Sequence, residues 1–232
     1  TRHMALVLLG LLGVMFTKST TAQTYTPKSY YTFENSSTPL KDSTGFFNLD
    51  AAYFQSNYTV PATNLRGVGK YLQLDSTGHY IRAGSVMPDT ALTIEFLFKP
   101  GYYFNETTDI IRRFDGAFQV QIGYPFLTFN TYTKNGSTGI SDQLKVTLDG
   151  IGRKSYGYYI DGEWHHFVFK YSAKTGVKEI WVDGQCPAGF SKTTATGAFD
   201  NSASNNKETV LNSSSVYNKI IGGGLDEFAI YH

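Results

Sequence analysis

A single cysteine, Cys186, stands among 232 residues, so no disulfide can close within the chain and a small cystine-stapled fold is excluded. Charge of one sign is lacking too. With 20 basic and 19 acidic side chains, the formal net charge is +1, and no excess advertises nucleic acid or an anionic membrane surface. No apolar run reaches the roughly 20 residues that a spanning helix needs. The longest, at residues 5–16, has the length of a signal-peptide core. Arg2 and His3 precede it, and Thr20 and Ala22 are the small residues ahead of a cleavable bond. Cleavage after Ala22 is expected, which makes 1–22 a leader and 23–232 the mature domain; an uncleaved anchor or a buried helix are the alternatives. The chain opens on Thr1 and closes on an apparent strand, as a piece of a longer polypeptide would.

Helical periodicity is missing beyond residue 23, and alternation takes its place. In "LTIEFLFK" Leu92, Ile94, Phe96 and Phe98 share one face, while Thr93, Glu95, Leu97 and Lys99 share the other. Phe118, Val120 and Ile122 repeat this period, as do Leu144, Val146 and Leu148. In "KEIWVDG" Ile180 and Val182 point together, Trp181 points away, and Asp183 with Gly184 supplies a hairpin turn. In the final run Phe228 and Ile230 are expected on one face with Asp226, opposite Glu227, Ala229 and Tyr231. Trp164 is expected in the core.

Hydrophobic residues make up 41% of the chain and aromatics 16%, enough for a sizeable core of strand-favouring side chains. The connection at 187–219 is rich in Ser, Thr and Asn. It is too long to stay wholly without structure in a compact domain, so part of it is expected to pair. About a dozen short strands divided by polar turns predict a two-sheet sandwich. Asn-x-Ser/Thr triplets occur at Asn35, Asn57, Asn105, Asn135 and Asn212. They would mark exposed loops in a secreted eukaryotic protein and would be chance in a bacterial one.

Catalytic strings are also absent. There is no Gly-x-Ser-x-Gly elbow, zinc pattern or phosphate-binding loop. His165 and His166 are neighbours, so on a strand they face opposite sides and cannot chelate one ion together. The nearest acidic groupings, Glu106 with Asp109 and Asp161 with Glu163, lack a third carboxylate and the spacing of a glycosidase pair.

Four strings taken in order carry a resemblance: "YYTFEN" at 30–35, "GKYLQLDSTGHYIRAG" at 69–84, "DGEWHHFVFKYSAKTGVKEIWVDGQ" at 161–185 and "GLDEFAIYH" at 224–232. Together they resemble the laminin-G-like members of the concanavalin A-like jelly rolls. The resemblance implies an all-β, two-sheet antiparallel jelly-roll sandwich whose first and last strands lie side by side. It implies a secreted or cell-surface, non-catalytic recognition module that binds a glycan or a protein within a larger protein; a structural or adhesive domain and a glycoside hydrolase on the same fold are the alternatives. Glycoside hydrolases of the laminarinase kind share the jelly roll, but their E-x-D-x-x-E string is missing here. Relatives often hold a structural calcium near the first and last strands, which points to Glu34 and Asp226, with Asp42 and Asp75 as possible additions. Sugar rings stack on aromatic faces, and Tyr102, Tyr103, Tyr158, Tyr159 and Trp181 are the candidate ligand contacts.

Overall fold

The computed structural model describes residues 27–34, 41–44, 70–74, 81–100, 108–123, 126–147, 163–194, 196–201, 208–213 and 223–232. Among them are fourteen strands and no helix: β1 Ser29–Tyr31, β2 Leu72–Leu74, β3 Ile81–Arg82, β4 Ala91–Pro100, β5 Thr108–Arg113, β6 Phe118–Gly123, β7 Phe126–Asn135, β8 Thr138–Thr147, β9 His165–Ser172, β10 Val177–Val182, β11 Ser191–Thr193, β12 Ala198–Phe199, β13 Thr209–Ser213 and β14 Gly223–Tyr231. All pair antiparallel in two seven-stranded sheets. The first runs β1-β14-β4-β9-β10-β11 with β2 also on β14; the second runs β12-β7-β6-β5-β13-β3 with β8 also on β7. The 187–219 segment does pair, supplying β11, β12 and β13.

The alternation read from the sequence becomes the two faces of each sheet. Leu92, Ile94, Phe96 and Phe98 are buried with Phe167, Phe169, Ile180 and Val182 from the first sheet; Phe118, Val120, Ile122, Leu127, Phe129, Leu144 and Val146 answer them from the second. Phe169 joins the layers, with its ring 5.8 Å from Phe96 in its own sheet and 5.8 Å from Phe129 across the core. Asp183 and Gly184 form the expected tight turn, both at positive φ (50° and 74°), and Val182 and Gln185 exchange backbone hydrogen bonds of 2.8 and 2.9 Å around it.

Two buried cations tie the edges. Arg113 donates to Asp115, to Asn201 and to the carbonyl of Asp200. Lys178, on the core face of β10, reaches across the sandwich to the carboxylate and carbonyl of Asp142 on β8, both at 2.9 Å.

Two expectations change. Asp226 does not share the face of Phe228 and Ile230. It pairs with Leu97, whereas Ala229 pairs with Glu95, so one extra residue enters β14 between them. Glu227 carries the bulge at φ 49°. Across it the parity flips, so Leu225, Phe228 and Ile230 all reach the core while Asp226 turns to the outer face. Trp164 is not a core residue either. It is half-buried, its ring edge-on to Tyr71 at 5.0 Å, and it lies over Gly224, where a Cβ would stand 2.6 Å from the indole.

The first and last strands are neighbours, as expected: Ser29, Tyr30 and Tyr31 pair with Ile230, Ala229 and Phe228. β2 takes the remainder of the same edge, pairing with Gly223, Gly224 and Leu225. Thus β1 and β2 lie end to end along β14, and the bulge sits opposite their junction.

Candidate ligand-binding surfaces

Each sheet turns a second face outward. On the first sheet, a trough of about 800 Å³ is lined by Thr93, Glu95, Val168, Lys170, Val177, Glu179 and Tyr231, among others. Glu95 receives a hydrogen bond from the Tyr231 hydroxyl at 3.3 Å and meets His166 Nε2 at 2.9 Å. The hydrogen bond from His166 holds the Glu95 carboxyl below its ordinary range, against the opposing effect of burial. Burial, reinforced by the charge of Glu95, pushes the Tyr231 hydroxyl up. On the far side, Glu179 Oε2 accepts from the Trp181 indole at 3.0 Å and lies 3.4 Å from Lys170, whose ammonium stands 5.8 Å from the Trp181 ring.

Among the described residues, Glu95 and Glu179 are the two carboxylates of this trough, and they do not form a glycosidase pair. They sit on β4 and β10 with β9 between them, roughly 9.5 Å of strand spacing apart and two residues out of register, since Glu95 pairs with Val168 and Glu179 with Lys170. Their backbones therefore stand farther apart than the about 5–5.5 Å between the carboxyls of a retaining enzyme or the about 6.5–9.5 Å of an inverting one. A general acid needs a raised pKa, and that of Glu95 is lowered. Glu179 is already engaged by an ammonium and an indole N–H.

The outer face of the second sheet is built differently. Gln143 on β8 donates to the Asn130 carbonyl oxygen on β7 at 3.0 Å. Asn130 donates in turn to the carbonyl oxygens of Gln119 and Gln121 on β6, at 3.0 and 3.2 Å. Both glutamines donate to Asp109 Oδ1 on β5, at 2.7 and 2.8 Å. Arg112 closes the row 3.3 Å from Asp109 Oδ2, with its guanidinium 4.9 Å from the Phe114 ring. The register dictates this chain: Gln143, Asn130, Gln119 and Arg112 are successive cross-strand partners, and side chains in register on one face are close enough to bond. Tyr132, 37% exposed, lies on the same face of β7, and Lys145 stands 3.7 Å over the Phe126 ring on the same face.

Of the residues singled out from sequence, Trp181 lies on the outward face of β10, beside the trough of the first sheet. Tyr102, Tyr103, Tyr158, Tyr159 and Asp75 lie outside the described residues, as do the leader at 1–22 and the acidic residues Glu106 and Asp161. Glu34 and Asp226 both lie near the junction of β1, β2 and β14, and each accepts a backbone amide. Both oxygens of Glu34 accept from the Lys70 amide at 3.1 Å, and Asp226 Oδ1 accepts from the Glu227 amide at 2.9 Å. Asp42 Oδ1 takes the amides of Tyr30 and Thr44 and the Thr44 hydroxyl. Calcium requires six to eight oxygen ligands, and among the described residues no three acidic, histidine or cysteine side chains gather.

Sequence reasoning missed the amide row. The one local signal is the Gln-x-Gln of "FQVQIG", which places two amides on the outer face of a strand whose other face is apolar. In the sequence Asp109 stands out only beside Glu106, a grouping without glycosidase spacing.

No family profile matches the chain, and no curated protein does. Solved structures do, at the level of the fold. Domain 4 of AbnA, a GH43 extracellular arabinanase from Geobacillus stearothermophilus solved with arabinotriose, is 18% identical, with a TM-score of 0.60 over 90% of this chain and 93% of that one. The binding domain of botulinum neurotoxin DC with SialylT is 15% identical, with a TM-score of 0.62 over 88% and 47%. The same toxin domain with rat synaptotagmin II is 14% identical, with a TM-score of 0.60 over 88% and 48%. The chain therefore spans about half the length of the toxin domains it matches. The likeness shows the architecture, an all-β antiparallel sandwich.

Proposed function

We propose that the protein is an exported, non-catalytic recognition module that binds carbohydrate on the outer face of its second sheet. The amide row from Gln143 to Asp109 carries this reading. A sugar hydroxyl both donates and accepts, and a planar amide offers one group of each kind. The exposed Tyr132 and the half-buried Phe126 border the row with apolar surface of the sort that covers sugar C–H faces. Two structural neighbours, solved with arabinotriose and with SialylT, support a glycan ligand. The apolar leader at 1–22 supports export to the cell surface or beyond. The separated and engaged carboxylates of the first-sheet trough support a role without catalysis.

Adhesion to another protein is the second reading, favoured by the neighbour solved with synaptotagmin II. Electrophoresis through gels containing plant, algal and host polysaccharides separates the two. Retention that is lost in Asn130→Ala and kept in Trp181→Ala is the expected result. Retention lost only in Trp181→Ala moves the site to the first-sheet trough. Free passage through every polysaccharide leaves protein binding as the surviving function.

A further inference from the structure

We infer that the amide row selects an uncharged, hydroxyl-rich glycan chain lying across the strands and discriminates against acidic glycans; this rests on the carbohydrate reading above. The polarity of the row carries the inference. A carboxylate such as Asp109 only accepts, and its Oδ1 takes an N–H from both Gln119 and Gln121. With a pure acceptor fixed at one end, every amide in the row must aim its N–H toward β5 and its carbonyl toward β8. The hydrogen bonds run that way at each step.

Counting what each amide has left defines the ligand. Gln119 and Gln121 each spend one N–H on Asp109 and keep one. Asn130 spends both of its N–H groups on the two glutamines. Gln143 spends one N–H on Asn130, while its own carbonyl oxygen accepts no hydrogen bond from the described residues. A ligand therefore meets one spare N–H on each of Gln119, Gln121 and Gln143, interleaved with spare carbonyl lone pairs over β6, β7 and β8. A hydroxyl satisfies either group by rotating its proton. A carboxylate or sulfate can use the donors only, and its charge is repelled by the carbonyls of Asn130 and Gln143.

The charges on this face cancel locally. Arg112 is matched by Asp109 at 3.3 Å and Arg82 by Glu208 at 2.9 Å. Lys145 is held over an aromatic ring at one corner. Among the described residues, no cluster of cations remains on this face to hold a polyanion. The row crosses four strands, roughly 14 Å at the normal strand spacing, so the ligand it matches is an extended run of several sugar units rather than a single terminal residue.

Binding is measured by calorimetry on the intact protein, using soluble neutral polysaccharides (arabinan, xylan, mixed-linkage glucan) beside polyanionic ones (alginate, pectate, heparin) at about 0.05 and 0.5 M salt. The expected ligand is neutral, and its affinity changes less than about twofold between the two salt concentrations, because uncharged hydrogen bonds are not screened. Asn130→Ala weakens it by about tenfold or more, and Gln143→Ala, at the exposed end of the row, by roughly threefold to tenfold. Thermal melts report whether each variant is folded, and Gln143→Ala keeps the test open should Asn130→Ala fail to fold. A polyanion bound with a tenfold or greater loss between the two salt concentrations overturns the neutral assignment. Neutral binding that both variants leave unchanged overturns the assignment to this row and leaves the carbohydrate reading standing. Silence from every polysaccharide removes both.

Discussion

On the first sheet, outward-facing polar side chains close upon one another in small groups: Glu95 with His166 and Tyr231, Glu179 with Lys170 and Trp181. On the second, they pass a hydrogen bond from strand to strand across four neighbours. The difference lies in the chemistry of the groups. An ion pair on adjacent strands satisfies both members, and the surface between such pairs is left to apolar side chains such as Val168 and Val177. An amide carries a donor and an acceptor on one plane, so it can receive from one neighbour, give to the next, and still keep a valence for a ligand. Two faces laid on the same alternation thus differ in what they can offer to a partner.

The comparison breaks most completely at the layer the two faces share. Phe169→Ala removes the ring lying between Phe96 and Phe129 and should cost about 3–5 kcal/mol. Urea melts followed by far-UV circular dichroism would report it, and both faces should be lost in one transition. A loss under about 1 kcal/mol would mean that the two layers do not depend on this contact.

Asp142→Ala is the next largest. It leaves the Lys178 ammonium buried without its carboxylate, at a cost of about 3 kcal/mol. Because Asp142 and Gln143 are adjacent on β8, the glycan affinity should fall with it. Replacing Lys178 by Met in the same molecule should restore most of the stability, since breaking a buried pair costs more than removing it whole.

Acid sharpens the contrast more gently. The Glu95 carboxyl is held below its ordinary value by the hydrogen bond from His166, so its stabilising contribution is fully present above that value and fades as pH falls through the depressed one. The pair is part-exposed, and its worth is about 0.5 kcal/mol or less. The melting temperature of the native protein should therefore drop slightly more than that of His166→Gln between about pH 5 and pH 3. Identical slopes would remove the interaction from the account. Smallest of all is calcium. With Glu34 and Asp42 occupied by amide donors, saturating calcium should move the melting temperature by less than about 1 °C against a chelator control. A metal bound only by the folded state would raise it further.

The strand alternation could be read directly because a period of two is local; Phe96, Ile180 and Val182 needed only their neighbours to be placed. Asp226 was misplaced for the opposite reason. A bulge whose extra residue sits at positive φ usually advertises itself with glycine, and here Glu227 takes that conformation, so nothing in "LDEFAI" signals that the parity flips. The amide row depends on the mutual register of β5, β6, β7 and β8, and no single segment encodes that relation. Gln143 and Asn130 meet through a hairpin that slides into register only once Leu127, Phe129, Leu144 and Val146 are buried together. Trp181 was placed by counting, but its neighbours Lys170 and Glu179 belong together only through the pairing of β9 with β10.

The juxtaposition of β1 and β14 bears on how such a unit would respond to force. Ser29 lies beside Ile230 and Tyr31 beside Phe228, so the outward-leading ends of both ribbons emerge at the same extremity of their shared ladder. Tension entering through those two flanks would load the rungs singly, beginning at Ser29, as a zip is drawn. A tether joined there would yield at low load, one rung after another, whereas shear along the ribbon would strain every rung at once.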